Sequence, residues 1–375
     1  DSPDRDELWP YLCRIDETRH YSNFGPLVRE LEQRFSACFA ERSGGAPIYL
    51  TTVSSATLGL ELALAALALP PRSKVLVPTL TFVATATAVL RAGHLPVVAD
   101  IDEQSWALTP EIAARALREV DCRAVLPVAT FGQAQSMRAW RRFEQASGVP
   151  VLLDAAGAFG SQWLDGDGGT LVFSLHATKA MSCGEGGLVV SSDAELVRRV
   201  RRMSNFGINL DADAEVPVGV SHLVGTNAKM SEYHAAVGLA ALDRWPRRAP
   251  LRRERWLAQR ALLDEAADGQ LVWQAGEVPT APVLMSLRWP GAGRRDRLEL
   301  HCARLGVVTR RWYQPLLPQH AFAPGLLQTL ATPVADALAG ELVGLPFFPD
   351  LDSRQLETIA QAVRCAVDEF RTLPA

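Results

Sequence analysis

Seven short apolar or β-branched runs, separated by segments of helical character, constrain this chain more than any other feature of it. They lie at 48–52, 74–78, 96–100, 124–128, 149–154, 170–174 and 187–191. Strands that alternate with helices build βαβ units, and these assemble into a largely parallel sheet. Several of the runs are apolar at every position, as strands are when helices cover both faces. The expected fold is therefore α/β: a mostly parallel, doubly wound seven-stranded sheet in a large domain. Ligands of such sheets bind beyond the carboxyl ends of the strands, so the residues just after each run are the ones to read for chemistry.

Past residue 191 the pattern changes. Met230, Ala235, Val237, Leu239 and Leu242 recur at helical spacing between 227 and 245, and Pro246 is expected to end that helix. A domain boundary is placed there, giving a large domain at 1–245 and a smaller α/β C-terminal domain at 246–375. The second part holds a basic helical stretch at 251–267, strand candidates at 283–289 and 306–310, and a final helix at 353–371. A chain of 375 residues suits two cores better than one.

Charge and cysteine usage exclude several classes. With 38 Lys and Arg against 42 Asp and Glu the net charge is −4, and the arginines do not interleave with aromatics, so no nucleic-acid partner is expected. Cys13, Cys38, Cys122, Cys183, Cys302 and Cys365 form no CxxC pair, and no histidines cluster at ligand spacing. No metal site is expected, and reduced thiols point to a cytoplasmic protein. The apolar run at 58–69 is broken by Glu61 and is too short to span a bilayer, while Asp1-Ser2-Pro3-Asp4 lacks signal-peptide character; no membrane contact is expected.

Chemistry concentrates at the strand ends. Lys179 follows the run at 170–174 among small and apolar neighbours, in Ser174-Leu175-His176-Ala177-Thr178-Lys179. A desolvated lysine loses its proton readily and can then form a Schiff base with an aldehyde cofactor. A surface lysine with its ammonium in water fits the same residues equally well. Asp154 ends an apolar run and precedes Ala155-Ala156-Gly157, where another group can approach closely. Such a carboxylate needs a cationic partner, which the protonated pyridine nitrogen of pyridoxal phosphate would supply; a helix cap is the alternative. Ser54-Ser55-Ala56-Thr57 opens the helix at 58–69 with amides and hydroxyls suited either to a phosphate or to plain capping. Phe82, in Thr79-Leu80-Thr81-Phe82, stands where a planar ring can stack, or packs as core.

In their order and spacing these stretches resemble the DegT/DnrJ/EryC1/StrS family of sugar aminotransferases, from near residue 15 to near residue 350. The match runs through Asn23-Phe24-Gly25-Pro26 with Glu32, Ser55-Ala56-Thr57, Thr81 to Thr85, Asp154-Ala155-Ala156, Ser174 to Gly187, and Gly225 to Glu232. The resemblance implies a fold-type I enzyme that uses pyridoxal 5'-phosphate (PLP). It implies that Lys179 carries the cofactor and shuttles a proton, that Asp154 pairs with the pyridine nitrogen, and that Phe82 stacks on the ring. Ala56, Thr57 and Ser174 would hold the phosphate from one subunit and Asn227 from its neighbour, in a homodimer with shared sites. Glu185 is carried over only as a structural or substrate-loop residue.

Three departures bear on the substrate. Gly157 stands where the family often has Gln or His, Ala129 replaces a usual His, and Phe348 falls where the late Leu-Pro-x-His-Pro signature has His. The implied reaction transfers an amino group from glutamate or glutamine to the keto group of a nucleotide-linked deoxysugar. Arg310, Arg311, Tyr313 and the loop at 208–224 are candidates for contacts with its sugar and phosphates. A cyclitol or other natural-product aminotransferase is the alternative, and an inactive accessory subunit is a third reading. A dehydratase of the same family carries His in place of the lysine, and Lys179 argues against it.

Overall fold

The computed structural model describes residues 2–210, 216–322 and 324–372. Helices α1 (Arg5–Thr18) and α2 (Pro26–Ala40) precede the sheet. They are followed by β1 (Tyr49–Val53), α3 (Ala56–Ala66), β2 (Lys74–Pro78), α4 (Ala84–Arg91), β3 (Leu95–Ala99), α5 (Pro110–Glu119), β4 (Ala124–Val125), α6 (Met137–Ser147), β5 (Leu153–Asp154), β6 (Thr170–Ser174), β7 (Gly187–Ser191) and α7 (Ala194–Ser204). A long helix, α8 (Glu232–Ala266), leads to β8 (Met285–Arg288), α9 (Arg294–Arg304), β9 (Gln328–Thr329), α10 (Pro333–Ala339), β10 (Leu342–Leu345) and α11 (Ser353–Thr372).

Each of the seven expected runs overlaps a strand, with β1 and β3 displaced by one residue. They form two four-stranded pieces, β1-β7-β6-β5 and β4-β2-β3-β9, which the parallel bridges Val125–Val151 and Val128–Asp154 join into one sheet. β7 runs antiparallel to both β1 and β6, whereas β2, β3 and β4, and β5 and β6, pair in parallel. An eighth, short strand was not expected: β9 lies parallel to β3 at the edge and comes from beyond residue 246.

The uninterrupted apolarity of β2, β6 and β7 follows from cover on both sides. On one side, Leu31 and Phe35 of α2 and Leu239 of α8 pack with Phe173 and Leu188. On the other, Leu60 of α3, Val89 of α4 and Val200 of α7 pack with Val77, Val172 and Val189. A separate core joins Trp256 of α8 to Leu287, Leu298, Val343 and Val363.

Pro246 does not end the helix. α8 continues through both Pro246 and Pro250 to Ala266. Each proline removes a donor and frees a carbonyl four residues back. Both prolines lie exposed, so their rings meet solvent rather than packed side chains, although the carbonyl freed by Pro246 belongs to Leu242, which is 5% exposed. Packing divides within this one helix: it faces the first core up to Leu242 and the separate core from Trp256 onward. The segment 306–310 is not a strand either; only Arg310 bridges to Gly344.

Candidate active site

The carboxyl ends of β5 and β6 and the amino end of α3 open onto a cavity of about 500 Å3. Lys179, Asp154, Ala56, Thr57, Phe82 and Ser174 all line it. Six of the seven residues read from the sequence thus meet in one place, although up to 123 positions separate Ala56 from Lys179. Asn227 lies outside this lining; its side chain accepts from Lys229 Nζ at 2.8 Å and its backbone bridges to Asn205.

Asp154 is 5% exposed. Its Oδ2 accepts from Thr85 Oγ1 at 2.8 Å, and Oδ1 accepts from the Ala156 amide at 3.1 Å. Thr85 in turn shares a hydroxyl–hydroxyl bond of 2.8 Å with Thr81. The carboxylate caps no helix. Burial pushes its pKa up, and the two hydrogen bonds and the charge of Lys179 oppose that rise. Lys179 responds in the opposite sense: desolvation lowers its pKa, while the Asp154 charge works to raise it. Each charge is held in a poorly hydrated place, and the two feel one another across the cavity. A lysine that sheds its proton easily is the nucleophile that an aldehyde cofactor requires.

The α3 terminus is set by Ser55, whose Oγ accepts from Leu58 N at 3.2 Å. The amides of Ala56 and Thr57, in the same first turn, have no intrahelical acceptor. Gly187 lets β7 lie against this turn, since a Cβ there would sit 2.6 Å from the carbonyl carbon of Ser55 and 2.7 Å from the Ala56 nitrogen. Ser174 Oγ accepts from the His176 amide at 3.3 Å. Phe82 is 55% exposed, its ring 6.2 Å from that of Tyr313.

Several lining residues carried no assigned role in the sequence. His176 bonds Thr178 Oγ1 through Nδ1 at 2.9 Å, and its Nε2 stands 3.6 Å from Glu185. Thr81, which lines the cavity, and Thr85, which reaches it only through its bond to Asp154, lay inside a matched stretch without a chemical signal of their own. Val283, Leu284 and Trp312 close the cavity from the far part of the chain, and no local pattern places them there. Among the earlier substrate candidates, Tyr313 lines the cavity, and burial and the Asp154 charge push its hydroxyl pKa up. Arg311 is bound to Glu299 and Asp296. Part of the loop at 208–224, residues 211–215, lies outside the described residues.

This geometry suits PLP at each end. Asp154 has no lysine, arginine or histidine within ion-pair reach among the described residues, so a protonated ring nitrogen would supply the missing cation. The open amides of α3 suit a phosphate, and Lys179 suits an aldehyde. Fold and cavity together place the chain among the fold-type I PLP-dependent aminotransferases. Pyridoxal phosphate is the cofactor of that class, and it supplies the electron sink on which amino transfer depends.

The chain belongs to the DegT/DnrJ/EryC1/StrS aminotransferase family, whose model matches residues 4–364. It is similar to DesI, whose structure was determined in the presence of its TDP-sugar product, with 30% identity, a TM-score of 0.83, and 98% of this chain and 92% of DesI covered. It is also similar to DesV of S. venezuelae, determined in complex with a ketimine intermediate, at 26% identity and TM-score 0.80 over 99% of this chain and 96% of DesV. A third similar structure is 3-amino-5-hydroxybenzoic acid synthase, at 25% identity and TM-score 0.81 over 98% of this chain and 100% of the other. No helix among the described residues is long and apolar enough to cross a membrane.

Proposed function

We propose that this enzyme aminates the keto group of a nucleotide-linked deoxysugar, with glutamate or glutamine as donor. The observation that carries the amino-transfer part is the meeting of Lys179 and Asp154 in one cavity. In this reading Lys179 binds the cofactor and moves the proton between cofactor and substrate carbon. Asp154 holds the ring nitrogen protonated, oriented by Thr85 and the Ala156 amide. Phe82 covers the ring face, and Ala56, Thr57 and Ser174 hold the phosphate. Asn227 reaches the phosphate of a second copy in a homodimer, which accords with its place outside the cavity of its own chain. The apolar side chains of Phe206 and Val224, the latter 96% exposed, suit burial against that copy. A cytoplasmic location accords with six free cysteines.

The nucleotide-sugar acceptor is supported by the similarity to DesI, which has a TDP-sugar product. A cyclitol or other non-nucleotide ketone is the second reading, favoured by the small Gly157 and Ala129, both in the cavity lining, and by the similarity to a hydroxybenzoate-forming synthase. The test supplies nitrogen-15 glutamate or glutamine with a nucleotide-linked keto-deoxysugar or with a cyclitol ketone, and follows the label by mass spectrometry. Label in the nucleotide sugar supports the first reading. Label in the cyclitol alone replaces it with the second, and no label in any product refutes both.

A further inference from the structure

A second chamber, of about 290 Å3, adjoins the first and shares with it the wall formed by Thr81, Phe82, Trp312 and Tyr313. Its outer side carries Arg310 and His320. The two chambers differ in chemistry. The inner one holds two carboxylates, Asp154 and Glu185, and its only lysine or arginine among the described residues is Lys179. The outer one has no Asp or Glu in its described lining.

The two neighbouring arginines of this chamber are not equivalent. Arg311 is bound by Glu299 and Asp296, so its charge is matched within the chain. Arg310 is exposed; its guanidinium donates only to the carbonyl of Thr309, at 3.2 Å, and no carboxylate lies within ion-pair reach among the described residues. Its backbone is nevertheless fixed by the pair of hydrogen bonds to Gly344. The shared wall is fixed as well. A Cβ at position 344 would lie 2.9 Å from Trp312 Cδ1, so the absence of a side chain there is what seats the indole. An unmatched guanidinium on an anchored backbone, sharing one chamber with His320 and aromatic side chains, has the chemistry to receive a planar or branched anion.

We infer that this outer chamber receives a phosphate-bearing handle of the acceptor substrate, with Arg310 as the principal contact and His320 as a second donor, while the keto group reaches Lys179 in the inner chamber. The inference rests on the amino-transfer reading and adds the place and residues of anion recognition. Arg311, matched by its own carboxylates, takes no part.

Inorganic pyrophosphate is the probe. Its affinity for the PLP-loaded enzyme is measured by calorimetry for the wild type, Arg310→Ala and Arg311→Ala, with succinate as a carboxylate control. The expected result is binding by the wild type, weakened about tenfold or more in Arg310→Ala, the cost of about one charge-assisted contact, and changed less than about twofold in Arg311→Ala. Three results would overturn the inference: no pyrophosphate binding, equal weakening in both variants, or tighter binding of succinate. Borohydride trapping of the cofactor on Lys179 is run on the same samples. An intact adduct alongside failed pyrophosphate binding removes the outer site alone, whereas a missing adduct in the wild type removes the amino-transfer reading itself.

Discussion

Replacing Asp154 by Asn separates what this carboxylate costs the fold from what it does for the reaction. In the cofactor-free protein Asp154 is a buried charge with two hydrogen-bond donors and no cation in ion-pair reach among the described residues. An asparagine can keep both contacts: its oxygen accepts from Ala156 N, and its amide donates to Thr85 Oγ1. Thr85 then turns its own proton toward Thr81, a reversal that the 2.8 Å hydroxyl pair permits. The change therefore removes mainly the desolvation of a charge, a gain of about 1–3 kcal/mol once the stronger bonds of a carboxylate are set against it. Because burial raises the native pKa above the ordinary 3.8, the folded protein holds this proton more tightly than the unfolded chain. Stability of the wild type attributable to this group accordingly falls as pH rises from near 3.8 through the raised native value, and the penalty is complete above it.

Asp154→Asn should thus leave the apoprotein no more stable than wild type in acid and more stable at neutral pH. Denaturant midpoints of cofactor-free protein across this range provide the assay. With cofactor bound the balance reverses: the variant lacks a buried counter-charge for the ring nitrogen, a loss of about 3–5 kcal/mol, or roughly 10²–10⁴-fold in kcat. An apoprotein destabilised by the change at neutral pH, or a variant that turns over at the wild-type rate, would refute this reasoning.

Other outcomes follow from the same geometry. The rate of cofactor uptake by Lys179, followed by absorbance, should rise with pH and level off below the 10.5 of a free lysine, and should level off lower still in Asp154→Asn, where the one charge that raises its pKa is gone. Glu232, fully buried, accepts from the amides of Leu27 at 2.8 Å and Val28 at 2.9 Å and so caps α2 from a distant part of the chain. Glu232→Ala should cost about 2–5 kcal/mol and lower the melting temperature by several degrees, with Glu232→Gln in between. Gly187→Ala would drive a methyl into the first turn of α3, and calorimetry should show weakened affinity for the cofactor; unchanged affinity would mean that this turn does not hold the phosphate. Gly344→Ala should displace Trp312 and alter its fluorescence, while the cofactor adduct on Lys179 still forms.

The strands were legible because burial on both faces leaves a continuous apolar run, and β2, β6 and β7 fall at the expected residues. β4 and β5 came out shorter than their runs because pairing there thins to single bridges at Val125–Val151 and Val128–Asp154. Pro246 misled because packing outweighs the local rule: α8 is held by one core up to Leu242 and by another from Trp256 onward, and those distant contacts cannot be read from the proline's neighbours. The inner half of the site was legible as well, since Lys179 and Ala56 each follow a strand, and Asp154 ends one, that an apolar or β-branched run announces. Its outer wall was not. Val283, Leu284 and Trp312 sit in irregular chain more than 100 residues after Lys179, and only the path of α8 brings them back over the cavity. The inequality of Arg310 and Arg311 was equally hidden, because it depends on Glu299 and Asp296 of α9.

Mass spectrometry of the native enzyme after borohydride reduction and proteolysis bears most directly on the whole account. A pyridoxyl group should appear on the peptide that contains Lys179 and should be absent from Lys179→Ala. A modification on Lys74 or Lys229 instead, or none at all in protein saturated with cofactor, would contradict it.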